Sequence, residues 1–166
     1  MLALGIDPGT ATTGYGLVRD LPDGSLRIVD FGAILTPPGL AMPERLLMLY
    51  EKLEETILLH RPDGSAVEKL FFARNVTTAM TVSQARGVIL LSLAKHAVPV
   101  SEYTPLEVKQ AVVGYGGAEK KQVQQMVQVL LGLKSIPKPD DAADALAIAI
   151  CHLHSARLSQ MIQDQK

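Results

Sequence analysis

The order of the hydrophobic patterns along the chain limits its fold more than any other feature. Three short strand-like segments come first, at Leu2–Asp7, Gly14–Val18 and Leu26–Leu35, with turn residues between them. Beyond them, segments of helical periodicity alternate with two further strand-like segments, 66–71 and 98–103. Consecutive strands joined by short turns pair antiparallel, whereas strands separated by helices pair parallel. The sequence therefore predicts an α/β fold with a mixed five-stranded sheet flanked by helices.

Five helices are predicted between and after these strands. They run from Pro43 to a turn at 61–64, from Thr77 to His96, from Pro105 to the glycines at 114–117, from Ala118 to Leu131, and from Asp140 or Asp141 past His154. A chain of 166 residues without repeats or linkers has the length of one domain. We therefore expect a single domain over residues 1–158 and a tail at 159–166 that is prone to fray.

The composition indicates a reducing compartment. Cys151 is the single cysteine, which excludes an internal disulfide framework. The first residues, MLALGID, lack the basic region of a signal peptide. The most apolar later stretch, residues 87–94, is far too short to cross a bilayer. We therefore expect a soluble, cytoplasmic protein.

The net charge argues mildly against an ordinary nucleic-acid binder. Sixteen lysines and arginines face seventeen aspartates and glutamates, which gives a formal charge of −1. A metal-dependent nuclease is an exception, because several of its carboxylates are neutralised by cations and its basic groups need form only a local patch beside them. Composition therefore leaves this class of enzyme open.

The helix predicted at 77–96 is apolar nearly all round in its second half, from Val88 to Ala94. Such a helix must be covered on two sides. It is either a central core helix or a helix that packs on a second copy of the chain. Because a domain this small readily covers only one side, self-association is the favoured interpretation.

Two aspartates lie one turn apart at the start of the last helix. Asp141 and Asp144 project from one helix face and repel each other, and the helix N-terminus offsets only the charge of Asp141. Asp140 is the better candidate for an N-cap. A cation is the simplest means of holding Asp141 and Asp144 together. Oxygen ligands without a cysteine or histidine pair favour magnesium or manganese over zinc.

Two further acids belong to predicted strands. Asp7 ends an apolar strand, and Glu68 lies within the strand at 66–71. Taken alone, Asp7 is typical of a turn-capping aspartate and Glu68 of a solvent-facing strand residue. Buried carboxylates are costly unless they are paired or bound to a metal, so a metal-binding role is the second interpretation. The pattern alone leaves open whether they meet the aspartates of the last helix.

Cys151, His152 and His154 form a cluster that only superficially matches a metal site. Cys151 and His154 share a helix face, whereas His152 projects elsewhere. We predict a structural role for all three.

Several short segments form an ordered set of motifs: GIDPG at 5–9, EKLFFARN at 68–75, QARG at 84–87, VKQAVVG at 108–114 with AEK at 118–120, and DAADALA at 141–147. With these segments, in this order and spacing, nearly the whole chain resembles the RuvC family of bacterial Holliday-junction resolvases. The resemblance implies an RNase H-like fold, a homodimer, and an endonuclease that cuts four-way DNA junctions by paired, symmetric nicks.

The resemblance assigns an acidic tetrad to Asp7, Glu68, Asp141 and Asp144. These residues are expected to be catalytic and to bind two Mg²⁺ or Mn²⁺ ions, roughly 3.5–4 Å apart in enzymes of this mechanism. In the implied mechanism Asp7 bridges the ions, Glu68 and Asp144 complete opposite sides, and Asp141 assists one of them. Position 141 is the least fixed in the family, where a histidine can replace the aspartate. Cleavage would leave a 5′-phosphate.

The resemblance also implies DNA contacts. The strand pattern alone predicts that Phe71 and Phe72 both lie in the hydrophobic core of the protein. The resemblance instead places Phe71 near the centre of the DNA junction, where an aromatic ring can stack on an unpaired base. With the cations near the tetrad, the predicted DNA-binding set is Phe71, Arg74, Asn75, Arg86, Lys109, Lys120 and Lys121. A branch-migration complex of RuvA and RuvB is the implied partner that delivers the junction.

Two other functional classes compete with this hypothesis. Residues 5–10 also look like the first phosphate loop of actin-like ATPases and sugar kinases, but the chain is too short for two such domains and has no second glycine-rich phosphate segment. The other class is a non-catalytic, structure-specific DNA-binding module. The concentration of acids argues against it, because a pure binder has no reason to present negative charge to DNA.

Overall fold

The computed structural model describes residues 1–69 and 76–164, with the backbone alone at 76–78. Its elements are β1 (Leu2–Asp7), β2 (Thr12–Asp20), β3 (Leu26–Leu35), α1 (Met42–His60), β4 (Gly64–Glu68), α2 (Val76–Lys95), β5 (Val100–Tyr103), α3 (Pro105–Val113), α4 (Lys120–Leu130) and α5 (Asp140–Gln163). All the predicted strands and helices are present. The domain limit at residue 158 and the fraying of the tail stay predictions, although α5 extends to Gln163.

The strands form one five-stranded sheet in the order β3-β2-β1-β4-β5. β1, β2 and β3 pair antiparallel, as an N-terminal meander does. β4 is parallel to β1, and β5 is parallel to β4. The mixed sheet predicted from the sequence is thereby confirmed, with β1 at its centre.

Several predicted strand boundaries are shifted by tertiary contacts. β2 spans Thr12–Asp20 rather than Gly14–Val18, because its pairing with β3 extends over that whole length. β4 begins at Gly64 rather than Ala66, because its parallel pairing with β1 already starts at Gly64. β5 begins at Val100 rather than Val98, because the N–H of Val98 donates to the carbonyl of Leu93 instead of joining the sheet. None of these pairings is visible in the local sequence pattern.

Helices cover both faces of the sheet. Side chains of α3, α4 and α5 form one core cluster, and those of α1 and α2 form the other. Along β1, Leu4 and Ile6 belong to the α1–α2 cluster, whereas Ala3 belongs to the α5 cluster. Because strand side chains alternate between faces, the next odd-numbered residues, Gly5 and Asp7, face α5.

α5 lies directly on the sheet backbone because glycines make room for it. A Cβ atom at Gly5 would overlap the carbonyl oxygen of Ala145, and a Cβ at Gly14 would overlap that of Asp141. A glycine inside a strand commonly marks such a close approach. These two glycines on adjacent strands therefore set the first half of α5 against the ends of β1 and β2.

Helix α2 is covered on only one side by the described chain. Ile89 and Leu93 are fully buried in the α1–α2 cluster. On another face, Met80 and Leu91 are 63% and 64% exposed. Despite its apolar sequence α2 is no membrane span, since none of the helices within residues 1–69 and 76–164 is long and apolar enough to cross a bilayer.

Cys151, His152 and His154 bond to neighbouring elements of the protein. Cys151 is buried, and burial raises the pKa of its thiol to about 11. His152 Nδ1 shares a hydrogen bond of 3.0 Å with the Tyr103 hydroxyl, and His154 Nδ1 lies 3.0 Å from the Ala111 carbonyl oxygen. These contacts tie α5 to β5 and α3, which is a structural role.

Candidate active site

Two carboxylates lie side by side at the ends of neighbouring strands. Asp7 is the last residue of β1 and Glu68 the last residue of β4. The parallel register pairs Ile6 with Val67 immediately before them, and both of these side chains belong to the α1–α2 cluster. Because alternate residues face opposite sides of a sheet, Asp7 and Glu68 both face α5.

The first turns of α5 bring in the aspartate pair. Asp141 and Asp144 are one helical turn apart, and Gly14 lets the backbone of Asp141 rest on β2, next to the end of β1. Asp144 lines the same pocket as Asp7. Asp141 does not line it, but its charge raises the pKa of both Asp7 and Asp144.

These acids open into a surface pocket of about 170 Å³. Its lining comprises three acids, two lysines and five apolar residues, namely Asp7, Glu68, Asp144, Lys109, Lys120, Pro105, Val108, Val123, Ala147 and Ile148. One pocket thus combines oxygen ligands that suit a hard cation with ammonium groups that suit an anion.

Burial and mutual repulsion make the three lining carboxylates difficult to ionise. Burial, followed by the charges of Glu68, Asp144 and Asp141, raises the pKa of Asp7 to about 8. Burial and the charge of Asp144 also raise the pKa of Glu68, and burial raises that of Asp144. Carboxylates held in this way are stabilised in their ionised form by a nearby cation.

Lys120 supplies one such positive charge. It is the first residue of α4, and its Nζ donates a hydrogen bond of 2.7 Å to Asp144 Oδ2. This bond raises the pKa of Lys120. The charge of Lys120 in turn offsets part of the rise in the pKa of Asp7 and Glu68. The lysine therefore acts as a counter-ion to the acidic cluster.

The donor chemistry of the pocket fits a hard divalent cation. Within the described residues, no three histidine, cysteine, aspartate or glutamate side chains already stand in a ready-made ligand arrangement. Asp144 is instead directed at Lys120. Carboxylates with raised pKa values and no sulfur or imidazole among them nevertheless form the set that Mg²⁺ or Mn²⁺ selects.

The structure brings part of the predicted DNA-binding set to the pocket. Lys109 and Lys120 line it, and Lys121 is exposed beside Lys120 on α4. Arg86 is instead bonded to Glu102 of β5, so its guanidinium is engaged within the chain, and its contact with DNA stays a prediction. Three predicted residues lie outside the described residues, namely Phe71, Arg74 and Asn75.

Asp140 stands apart from the pocket. Its carboxylate is 2.6 Å from Lys138 Nζ, and that bond lowers its pKa. The prediction that Asp140 is the N-cap of α5 is wrong by one residue. Pro139 takes that position, because its carbonyl accepts the N–H groups of Ala142 and Ala143.

Sequence reasoning assigned no structural role to the glycines that lie beneath the site. Gly5 and Gly14 allow α5 to reach the strand ends. Isolated glycines inside strand patterns are the signal that could have identified them. Pro105 and Val108 line the pocket from α3; Pro105 was predicted only as a helix start, and Val108 belonged to a family motif but was given no role at the site.

The chain is similar to a well-defined group of proteins. The sequence model of the family described as crossover junction endodeoxyribonuclease RuvC matches residues 3–152. A relative with that description from Syntrophomonas wolfei is 58% identical over 98% of this chain and 94% of its own. The structure of Thermus thermophilus RuvC superimposes with a TM-score of 0.90 at 38% identity, covering 96% of this chain and 97% of the other. A T. thermophilus RuvC complex with a Holliday junction substrate gives 0.88 at 35% identity, covering 95% and 96%.

Proposed function

Because the chain belongs to the RuvC family of crossover junction endodeoxyribonucleases, we propose that it resolves four-way DNA junctions at the pocket that Asp7, Glu68 and Asp144 share. The protein is a metal-dependent endonuclease that hydrolyses phosphodiester bonds, as its family is. The observation that carries the proposal is this pocket, in which buried carboxylates face Lys109 and Lys120. The junction-bound T. thermophilus relative supports the choice of substrate.

Asp7, Glu68 and Asp144 are the residues that would hold the metal. We propose two Mg²⁺ or Mn²⁺ ions, with Asp7 central because the charges of Glu68, Asp144 and Asp141 all raise its pKa, and with Asp141 assisting. Bound divalent ions supply an activated water and stabilise the leaving oxygen of a phosphodiester. Asp7 must give up its proton for this purpose, and the products would carry a 5′-phosphate and a 3′-hydroxyl.

Lys109 and Lys120 are proposed to hold the phosphates of the DNA strand. Each places a positive charge at the pocket that contains the acids. The single ammonium group of Lys120 is bonded to Asp144 in the free protein. In the proposed complex with DNA, a phosphate would compete with Asp144 for it. If Asp144 held a cation, its contact with Lys120 would weaken, and the lysine would be free to bind the phosphate.

The raised pKa of Asp7 predicts a pH-dependent metal affinity. Asp7 is protonated below about pH 8 in the metal-free protein, and a carboxylate must lose its proton to bind a metal. We expect the affinity for Mn²⁺ to rise roughly tenfold per pH unit on approaching pH 8, as one proton is released, and to level off above it. Calorimetry in buffers of different ionisation enthalpy measures both quantities. The slope is expected to vanish in Asp7→Asn, and an unchanged slope there would exclude Asp7 as the titrating ligand.

A homodimer is proposed through the open face of α2. Met80, Gln84, Gly87 and Leu91 follow one another at helical spacing and are all exposed. No atom of the described residues lies within 4 Å of a Cβ placed at Gly87, so a second helix backbone has room to approach there. A two-fold dimer offers two identical pockets, which matches the two-fold symmetry of a four-way junction.

Leu91→Glu is expected to convert this dimer into a monomer at micromolar concentration. The substitution places a charge in the centre of an apolar contact, where an unpaired charge is strongly unfavourable. Sedimentation equilibrium measures the mass. Leu58→Glu is the matched control, because Leu58 on α1 is 56% exposed and lies off this face. The interface is assigned wrongly if Leu91→Glu remains dimeric or if Leu58→Glu dissociates equally.

Two further elements of the proposal concern the cell. A branch-migration complex of RuvA and RuvB is the proposed partner that delivers junctions, and the cytoplasm, where chromosomal DNA lies, is the proposed site of action. Five further residues stay predicted DNA contacts on the basis of the sequence: Phe71, Arg74, Asn75, Arg86 and Lys121.

A nicking assay tests the proposed function. The protein is mixed with a synthetic four-way junction, labelled in turn on each strand, and with a linear duplex of the same sequence, in Mg²⁺ or Mn²⁺. We expect cuts in two opposing strands of the junction and none in the duplex. A junction that is bound but not cut would instead indicate a non-catalytic binding module.

A further inference from the structure

The turn between β1 and β2, residues 8–11, directs three of its carbonyl groups, those of Gly9, Thr10 and Ala11, at donors of the protein. The Thr13 hydroxyl donates to the carbonyl oxygen of Gly9 at 2.7 Å. The backbone N–H of Thr36 donates to the carbonyl oxygen of Ala11 at 3.0 Å. Two of the carbonyls in this turn are therefore occupied, one by Thr13 of β2 and the other by Thr36, the residue that follows β3.

Arg45 of α1 completes this arrangement at the middle carbonyl. Its Nη2 donates to the carbonyl oxygen of Thr10 at 2.9 Å, and the Thr36 hydroxyl donates to the same oxygen at 2.5 Å. Arg45 Nε donates in turn to the Thr36 hydroxyl oxygen at 3.0 Å. A half-buried guanidinium and a buried hydroxyl thus hold the turn in a single orientation.

The N–H groups of the same turn have no such partners. Those of Gly9, Thr10 and Ala11 donate to no atom of residues 1–69 or 76–164, whereas the three carbonyls all accept. Backbone N–H groups need an acceptor from water or a ligand. Successive N–H groups presented by a turn form an anion-binding concavity, and here the charge of Arg45 lies behind it.

The position of this turn selects the anion. The turn begins at the residue after Asp7, so an anion bound to it lies next to the acidic pocket. The carboxylates of that pocket repel a phosphate, whereas the turn offers N–H donors and the positive charge of Arg45. A phosphate group has several acceptor oxygens and suits such a set of N–H donors.

We propose that the β1–β2 turn is a phosphate-binding site for the DNA strand that is cut, one or two nucleotides from the scissile phosphate. Thr36 and Arg45 are positioning residues, which turn the carbonyls inward so that the N–H groups face the DNA. The assignment rests on the proposed function, because the phosphate belongs to the junction.

The test combines a single protein substitution with the removal of a single DNA charge. Junctions that carry a neutral methylphosphonate at one position at a time around the cut site are titrated with the protein in Ca²⁺, and fluorescence anisotropy reports binding. For the wild-type protein we expect one position near the cut to weaken binding roughly tenfold, the effect of losing one charge-assisted contact. For Thr36→Val the unmodified junction should already bind that weakly, and the methylphosphonate should cause no further loss.

Matched variants separate positioning from folding and from general charge. Thr36→Ser keeps the hydroxyl and should restore the tenfold effect. Arg45→Lys keeps the charge but cannot bond both Thr10 and Thr36, so it should show the same weak binding that is expected of Thr36→Val. It therefore provides an independent test if Thr36→Val folds poorly. Arg27→Ala removes a charge at the far end of the β2–β3 hairpin, and it should leave the methylphosphonate effect intact.

Two results overturn the inference without touching the proposed function. One is a wild-type protein that binds and cuts the junction but is insensitive to every single methylphosphonate near the cut. The other is a methylphosphonate effect that persists in full in folded Thr36→Val and Arg45→Lys. Failure of the wild-type protein to bind or cut the junction would instead remove the proposed function itself.

Discussion

Asp7→Asn is expected to lower the rate of junction cleavage by more than about a thousandfold and to leave junction binding intact. The substitution keeps the shape of the side chain but removes the charge of a pocket carboxylate whose pKa is raised by all three other acids. Loss of an outer-shell partner of a metal typically costs roughly 10–100-fold, so loss of a direct ligand should cost more. Binding should hold or tighten, because one negative charge near the DNA phosphates disappears.

Single-turnover cleavage and anisotropy titrations on the same junction separate these two effects. Asp140→Asn is the matched control. Asp140 is also an aspartate at the start of α5, but it is paired with Lys138 and does not line the pocket. Its substitution should change the cleavage rate by no more than about twofold, as for a surface residue. An Asp7→Asn protein that cuts at the wild-type rate in Mg²⁺ would remove Asp7 from the mechanism.

Gly14→Ala is expected to impair both stability and cleavage. A Cβ at this position would overlap the backbone of Asp141, which cannot move aside without shifting the first turn of α5. Such overpacking typically costs about 1–3 kcal/mol, which corresponds to a fall in melting temperature of roughly 2–12 °C in a domain of this size. Because Asp144 lies in the same part of α5, the acids should separate, and a displacement of about 1 Å can cost about a hundredfold in rate.

Calorimetric melting and the cleavage rate test this expectation together. Gly39→Ala provides the control, because a Cβ at Gly39 has no neighbour within 4 Å among residues 1–69 and 76–164, and both quantities should stay near their wild-type values. If Gly14→Ala melts and cuts like the wild-type protein, the close packing of α5 on β2 does not position the site.

The fold could be predicted from the sequence because its signals are local. The turn residues between the first three strands and the capping box of Thr104 and Glu107 mark element ends directly. The start of β5 could not be predicted in this way. The N–H of Val98 bonds to Leu93, and only the packed structure reveals that competition.

The site, like the fold, has one feature that the local sequence predicts and another that depends on tertiary structure. The repulsion between Asp141 and Asp144 is a local property, and it indicated a cation without knowledge of the fold. The approach of Asp7 to Glu68 depends on the register that pairs Ile6 with Val67, and a shift of one residue would turn either acid to the other face. Before the structure was known, only the family resemblance predicted that the four acids form one site, because the family shares this strand register.

The most direct test of the account is the cleavage of a synthetic four-way junction by the purified protein in Mg²⁺ or Mn²⁺, with each strand labelled in turn. The account predicts paired cuts at symmetric positions in two opposing strands, 5′-phosphate ends that ligase can reseal, and no product with chelator or with Asp7→Asn. Cuts that persist in chelator, or a junction that stays intact while the wild-type protein binds it in the presence of metal, would contradict the account.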